Sequence, residues 1–138
     1  MDAEAGRAFV DTNVLVYLLG RDRDKGARAE ACLREPVTIN VQVLNELVAV
    51  ARRRTKRSWE EIDDFVDALC RLDTVEVHPL TKSVHDDGRR LARRHGFHVY
   101  DAMIVSAALE AGCPTLLTED MHTGLVVDGA LTLTNPFA

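Results

Sequence analysis

Cysteine is scarce in this chain of 138 residues: Cys32, Cys70 and Cys113 are an odd number with no metal-ligand spacing. They are expected to be reduced thiols, and neither a disulfide framework nor a thiolate metal centre is expected. Long apolar runs are missing as well, since none approaches the ~18 residues a membrane span requires. The opening stretch "MDAEAGRAF" lacks both the basic start and the apolar core of a signal peptide. A soluble, cytoplasmic protein that avoids membranes is therefore expected. There is no internal repeat, low-complexity tract or linker, and the length suits one domain over residues 1–138 with a real core of its own. Nor is there an excess of positive charge: 17 basic against 22 acidic residues leave a net charge of −5. That argues against a surface coated in cations but leaves nucleic acid open as a partner. Carboxylates gathered at one place make the total acidic while basic patches surround them.

What the chain does have is alternation. "RAFVDT", "PVTINV", "DTVEVH", "PTLLT" and "ALTLT" are short, rich in β-branched residues and bounded by turn formers, so they read as strands. Helical patterns lie between them. Ser58 and Glu61 make a capping box, and Ile62, Phe65, Val66, Leu69 and Leu72 follow at the spacing of one helix face. Thr81 is placed to cap a further helix that Gly96 ends in a left-handed turn. "DAMIVSAALEAG" is apolar nearly all round, which predicts a central, buried helix. Strands alternating with helices imply an α/β domain whose largely parallel sheet is covered on both faces.

The stretch "AFVDTNVLVYLL" then poses a question, because it sets Asp11 among residues that should be buried. A buried carboxylate is costly unless something pairs with it. In open parallel sheets ligands bind beyond the carboxyl ends of the strands, and four acidic positions map to that edge. Asp11 closes the first strand, and Glu46 lies about a turn and a half into the helix after "VTIN". Asp101 opens the buried helix, and Asp120 follows "TLLT" with Glu119 beside it. Each has a plain structural reading: Asp11 and Asp101 as helix caps, Glu46 as a surface residue, Asp120 as part of a turn. All four at one edge are better explained by a shared cation. Oxygen donors without Cys or His at ligand spacing suit hard Mg²⁺ or Mn²⁺ rather than Zn²⁺.

At these residues the chain resembles the PIN-domain ribonucleases, and among them the VapC toxins of toxin–antitoxin pairs. The resemblance runs through "FVDTNVLVY", "NVQVLNEL", "YDAMIVSAALEAGC", "TLLTEDMHTG" and the closing "TNPF", in family order and nearly end to end. It implies a PIN-like three-layer fold and a Mg²⁺- or Mn²⁺-dependent endoribonuclease that cleaves single-stranded RNA. It also implies a small antitoxin as inhibitor and a homodimer. Asp11, Glu46, Asp101 and Asp120 would be the metal-binding, catalytic quartet. Thr12 or Asn13 would orient Asp11, and Thr118 would support the last carboxylate. "TED" departs from the family pattern by offering Glu119 beside Asp120; the family spacing of Thr, any residue, Asp selects Asp120.

Two basic clusters remain. Arg52, Arg53, Arg54, Lys56 and Arg57 lie in "RRRTKR", which "EEIDD" at 60–64 can balance. Arg89, Arg90, Arg93 and Arg94, with His95 and His98, lead directly into Asp101. The second cluster is the one expected beside the acidic edge, contacting RNA phosphates. Tyr100 and Trp59 are candidates for stacking on bases, although Trp59 beside a helix cap reads better as packing. Other acidic-site α/β proteins fit less well. A phosphoacceptor domain needs a Lys at the end of a late strand, and the chain has only Lys25, Lys56 and Lys82. A dehalogenase-type phosphatase wants Asp where Asn13 stands. A PIN-like module that only binds RNA or a partner has no reason to keep repelling carboxylates together.

Overall fold

The computed structural model describes residues 6–138. Every strand expected from the sequence forms: β1 (Ala8–Val10), β2 (Val37–Asn40), β3 (Val75–His78), β4 (Thr115–Leu117) and, after a short additional strand β5 (Val126–Val127), β6 (Leu131–Thr134). They make one sheet in the order β3-β2-β1-β4-β6-β5. All neighbours run parallel except β5 and β6, which pair antiparallel with Val127 opposite Leu131. The chain builds outward from β1 to β2 and β3, then returns to lay β4 on the other side of β1. The strand order therefore reverses between β1 and β4, where Val10 pairs with Leu117. A crevice at the carboxyl ends of the strands opens at such a reversal.

The helices are α1 (Thr12–Leu15), which runs into a 3-10 turn at Val16–Leu19, then α2 (Arg23–Cys32) and α3 (Val41–Arg54). Beyond them come α4 (Trp59–Arg71), α5 (Lys82–His95) and α6 (Val99–Glu110). Phe9 and Val10, which point to opposite faces of the sheet, are both fully buried, as are Thr38 and Ile39. Adjacent residues of one strand are buried together only when helices cover both faces. The architecture is thus α/β with a mostly parallel central sheet flanked by helices.

The capping signals act as their chemistry requires. Ser58 and Glu61 exchange side chain-to-backbone hydrogen bonds at the start of α4. Thr81 accepts from the Val84 amide at the start of α5, and Gly96 closes that helix at φ 73°. Helix α6 has seven consecutive buried residues from Ala102 to Ala108. It begins two residues earlier than the sequence suggests: His98 is its cap, its Nδ1 accepting from the Tyr100 amide, and Asp101 lies within the first turn. Asp101 is therefore not a cap. Helix α2 and strand β5 had no sequence signal. The first buries only Ala29 and shows no apolar stripe, and the second is two residues long. Among the described residues no helix is long and apolar enough to cross a membrane.

Candidate active site

Asp11 sits at the strand-order reversal. The β1 ladder ends as the Asp11 amide donates to the Leu117 carbonyl (2.9 Å), and the chain turns at once into α1. Its Oδ1 accepts from the Thr12 amide at 2.7 Å, so the residue also serves as the N-cap of α1. Its Oδ2 accepts from the Thr118 hydroxyl at 2.9 Å and from Asn13 Nδ2 at 3.2 Å. The side chain is held from β1, α1 and the end of β4 together, with only 5% of the residue exposed. Burial raises its pKa from 3.8 to about 7, against the opposing hydrogen bonds of Thr118 and Thr12; the charges of Glu46 and Asp101 push the same way as burial.

Glu46 projects from α3 and accepts from the Thr12 hydroxyl at 3.0 Å. Burial is the main cause of its raised pKa, which Thr12 opposes and Asp101 reinforces. Asp101 is raised first by burial and also by the charge of Asp120, with His98 acting in the opposite direction. Asp120 is exposed and accepts from Asn13 Nδ2 at 3.1 Å. Asn13 thus bridges the first and last of the four carboxylates, and its Oδ1 accepts from the Glu119 amide at 3.0 Å. The four carboxylates border one cleft of about 330 Å³, together with Thr12, Asn13, Tyr17, Arg54 and Glu119. The lining offers carboxylate, amide and hydroxyl oxygens but no thiol or imidazole. Among the described residues, no three His, Cys, Asp or Glu side chains are grouped so as to hold a metal ion. The acids share a cleft and a field without closing on one point.

The PIN-domain family model matches residues 8–122, which includes the whole of this site. The chain belongs to the PIN-domain family. No curated protein matches it by sequence. Several solved structures share the fold of this PIN domain. A toxin–antitoxin complex from Klebsiella pneumoniae is 19% identical with a TM-score of 0.69, the alignment covering 94% of this chain and 97% of that one. VapC20 of Mycobacterium tuberculosis, described as a sarcin–ricin loop cleaving toxin, is 18% identical with a TM-score of 0.66, over 82% of this chain and 89% of its own. VapBC2 of Rickettsia felis, bound to a DNA fragment from its promoter, is 19% identical with a TM-score of 0.63, over 94% and 98%.

Two placements in this PIN domain differ from the sequence reading. Thr118 supports the first carboxylate rather than the last: its hydroxyl donates to Asp11, while Asn13 Nδ2 is 3.2 Å from the same hydroxyl oxygen. β4 runs beside β1, so the residue that ends β4 reaches the residue that ends β1. Glu119, expected as a supporting residue beside Asp120, lines the cleft and is bound to Lys25 and Tyr17 at 2.5 Å each. Burial pushes its carboxyl upward, but those two partners outweigh it and the net shift is downward.

The second difference concerns the basic residues. Arg89, Arg90, Arg93 and Arg94 do not line the cleft; Arg54 does. Arg90 instead bridges Asp87 and Asp128, both at 2.7 Å, and Arg89 pairs with Asp86 at 3.3 Å. Closeness in sequence to Asp101 was a poor guide, because Gly96 ends α5 and redirects the chain before α6 begins. Arg54, Tyr17 and Lys25 are the site residues the sequence reading left out. Of these, only Arg54 carried a signal, as a member of the "RRRTKR" cluster.

Proposed function

We propose that this PIN domain is an endoribonuclease dependent on Mg²⁺ or Mn²⁺, cleaving single-stranded RNA as the toxin of a VapC-type toxin–antitoxin pair. The observation that carries the reading is Asp11, buried at the strand-order reversal with its pKa lifted to about 7 and two further carboxylates acting on it. A protein keeps mutually repelling acids in one cleft when a cation is to offset them. The donor set fits such a cation in its chemistry: oxygen atoms only, as hard Mg²⁺ or Mn²⁺ prefers.

In this reading Asp11, Glu46, Asp101 and Asp120 would hold the ion. When bound, it supplies Lewis acidity toward water and positive charge against the scissile phosphate. Thr12 orients Glu46, while Thr118 and Asn13 fix Asp11, and Asn13 also steadies Asp120. Arg54 at the cleft places a permanent cation where a phosphate enters. The hydroxyls in the lining are already engaged, Thr12 with Glu46 and Tyr17 with Glu119, so hydrolysis by water suits the cleft better than attack by a side chain. The likeness to toxin–antitoxin complexes supports a small inhibitory antitoxin as partner. A homodimer in the cytoplasm is part of the same proposal.

The test is RNA cleavage by purified protein in Mg²⁺, with Asp11→Asn beside the wild type. Cleavage by the wild type that falls to background in the variant, with circular dichroism unchanged, is the expected result. Equal cleavage by both proteins overturns the assignment. A wild type that binds RNA or its antitoxin but never cuts would make the chain a binding module instead.

A further inference from the structure

Beyond Arg54 the cleft continues into a groove of about 690 Å³ between the 3-10 turn after α1 and the carboxyl end of α3. The two share Val16, Tyr17, Val50 and Arg54, so a chain leaving the acidic cleft on this side enters the groove directly. Its polar rim carries Arg21, Arg54, Lys56 and Arg57, with Asp22 as its one acid among the described residues. Among the described residues none of these four cations forms an ion pair; every pair involving Lys or Arg uses Arg7, Lys25, Lys82, Arg89 or Arg90. Arg57 is fixed by donating to the Leu19 carbonyl at 3.1 Å. Among the described residues the acidic run at 60–64 forms no ion pair with this cluster, whereas Asp86, Asp87 and Asp128 do pair with Arg89 and Arg90. The Glu61 carboxyl, lowered chiefly by its hydrogen bonds with Ser58, is lowered a little further by the charge of Arg57.

We infer that this groove is the path along which the RNA backbone leaves the cleft, with Arg21, Arg54 and Lys56 contacting phosphates on the flank of the scissile bond. The inference rests on the nuclease reading and adds to it the strand's direction across the protein. Charge complementarity selects the occupant: a polyanion whose scissile phosphate lies at the carboxylates needs cations at its flank, and this groove is continuous with the cleft and carries four that form no ion pair among the described residues. In the α5 cluster Arg89 and Arg90 are paired with their own acids, and none of its four arginines lines the cleft or the groove. The groove's lining also includes apolar Val16, Leu19 and Val50.

The experiment measures binding of a mixed-sequence single-stranded oligoribonucleotide against salt, in Mg²⁺, with Asp11→Asn as background so that the RNA stays intact. Each phosphate contact on a single strand contributes about 0.7 to the log–log salt slope. The triple variant Arg21→Gln, Arg54→Gln, Lys56→Gln should lower the slope by about 2 and weaken binding. Lys56→Gln alone, in case the triple variant misfolds, should lower it by about 0.7. Arg89→Gln with Arg93→Gln should leave it unchanged. An unchanged slope in the groove variants, or a fall only in the α5 variant, overturns the inference while the nuclease reading stands on wild-type cleavage. Groove variants that keep their slope yet escape the antitoxin assign the groove to a protein partner and also overturn it. Wild-type protein that neither binds nor cuts RNA overturns the nuclease reading, and this inference with it.

Discussion

Lys25 Nζ lies 2.5 Å from Glu119 Oε2, and the Tyr17 hydroxyl lies 2.5 Å from the other oxygen of the same carboxylate. Of the two acidic residues that follow Thr118, one is thereby bound to α2 and the 3-10 turn. Its neighbour Asp120 faces the cleft, its carboxylate partnered among the described residues only by the neutral amide of Asn13. Lys25 also lies 4.9 Å from the Tyr17 ring centre and 5.5 Å from that of Phe137, which ties the end of the chain to the same cluster.

This pairing separates the roles of two adjacent acids. Asp120→Asn is expected to reduce single-stranded RNA cleavage to background in Mg²⁺. Glu119→Gln keeps hydrogen bonding to Tyr17 and should retain cleavage to within about a factor of 10–100, as expected of a group that supports rather than binds. Parallel time courses on the two variants decide it. The reverse ranking would make Glu119 the fourth ligand.

Thr118 is 1% exposed and donates to a buried carboxylate. Thr118→Val removes that donor while keeping the shape, leaving Asp11 Oδ2 with the longer Asn13 contact alone. Urea denaturation at neutral pH should show a loss of about 1–3 kcal/mol, with Thr118→Ser much closer to wild type. Equal stability of Thr118→Val and wild type would remove Thr118 from the site.

The raised pKa of Asp11 makes stability depend on pH in a definite direction. Between its ordinary value of 3.8 and about 7, the folded protein holds a proton that the unfolded chain has released. The native state is then favoured by acid, so this group's contribution falls as pH rises through that window and levels off above about 7. Half-buried Asp101, raised by burial and by Asp120, adds to the repulsion. In chelator, Asp101→Asn should therefore be more stable than wild type at pH 7.5, by on the order of 1 kcal/mol. The lost attraction of its charge for the α6 N-terminus partly offsets this gain. Thermal melts across pH test it: a less stable Asp101→Asn variant, or a stability difference between wild type and Asp11→Asn that does not shift against the wild type as pH rises over this window, contradicts the account.

Metal should reverse that penalty. An ion that binds only the folded state raises stability by about 2.7 kcal/mol at one hundred times its dissociation constant. Titration of Mg²⁺ and Mn²⁺ into chelator-treated protein should raise the melting temperature of the wild type. Asp11→Asn and Asp101→Asn should lose most of that rise. A wild type whose melting temperature ignores both ions would count against the cation and leave the carboxylates without a purpose.

The sequence alone determined the layers and one edge. β-branched runs such as "VTIN" and the caps at Ser58 and Thr81 are local: each satisfies its own backbone or buries its own face, so strands and helices could be read in place. Asp11, Glu46, Asp101 and Asp120 were legible as a set because each follows a strand, opens a helix or lies early in one, and parallel strands bring those points to one side. Partnership across the chain was not legible. The Lys25–Glu119 pair spans 94 residues and the Thr118–Asp11 bond 107. Nothing in either local pattern specifies the other end; only the placement of β4 beside β1 brings them together. The same holds for the basic clusters, which look alike as strings of arginine. Whether an arginine meets its own acids, as Arg90 meets Asp87 and Asp128, or lines the cleft without an ion pair among the described residues, as Arg54 does, depends on which way its helix faces after packing.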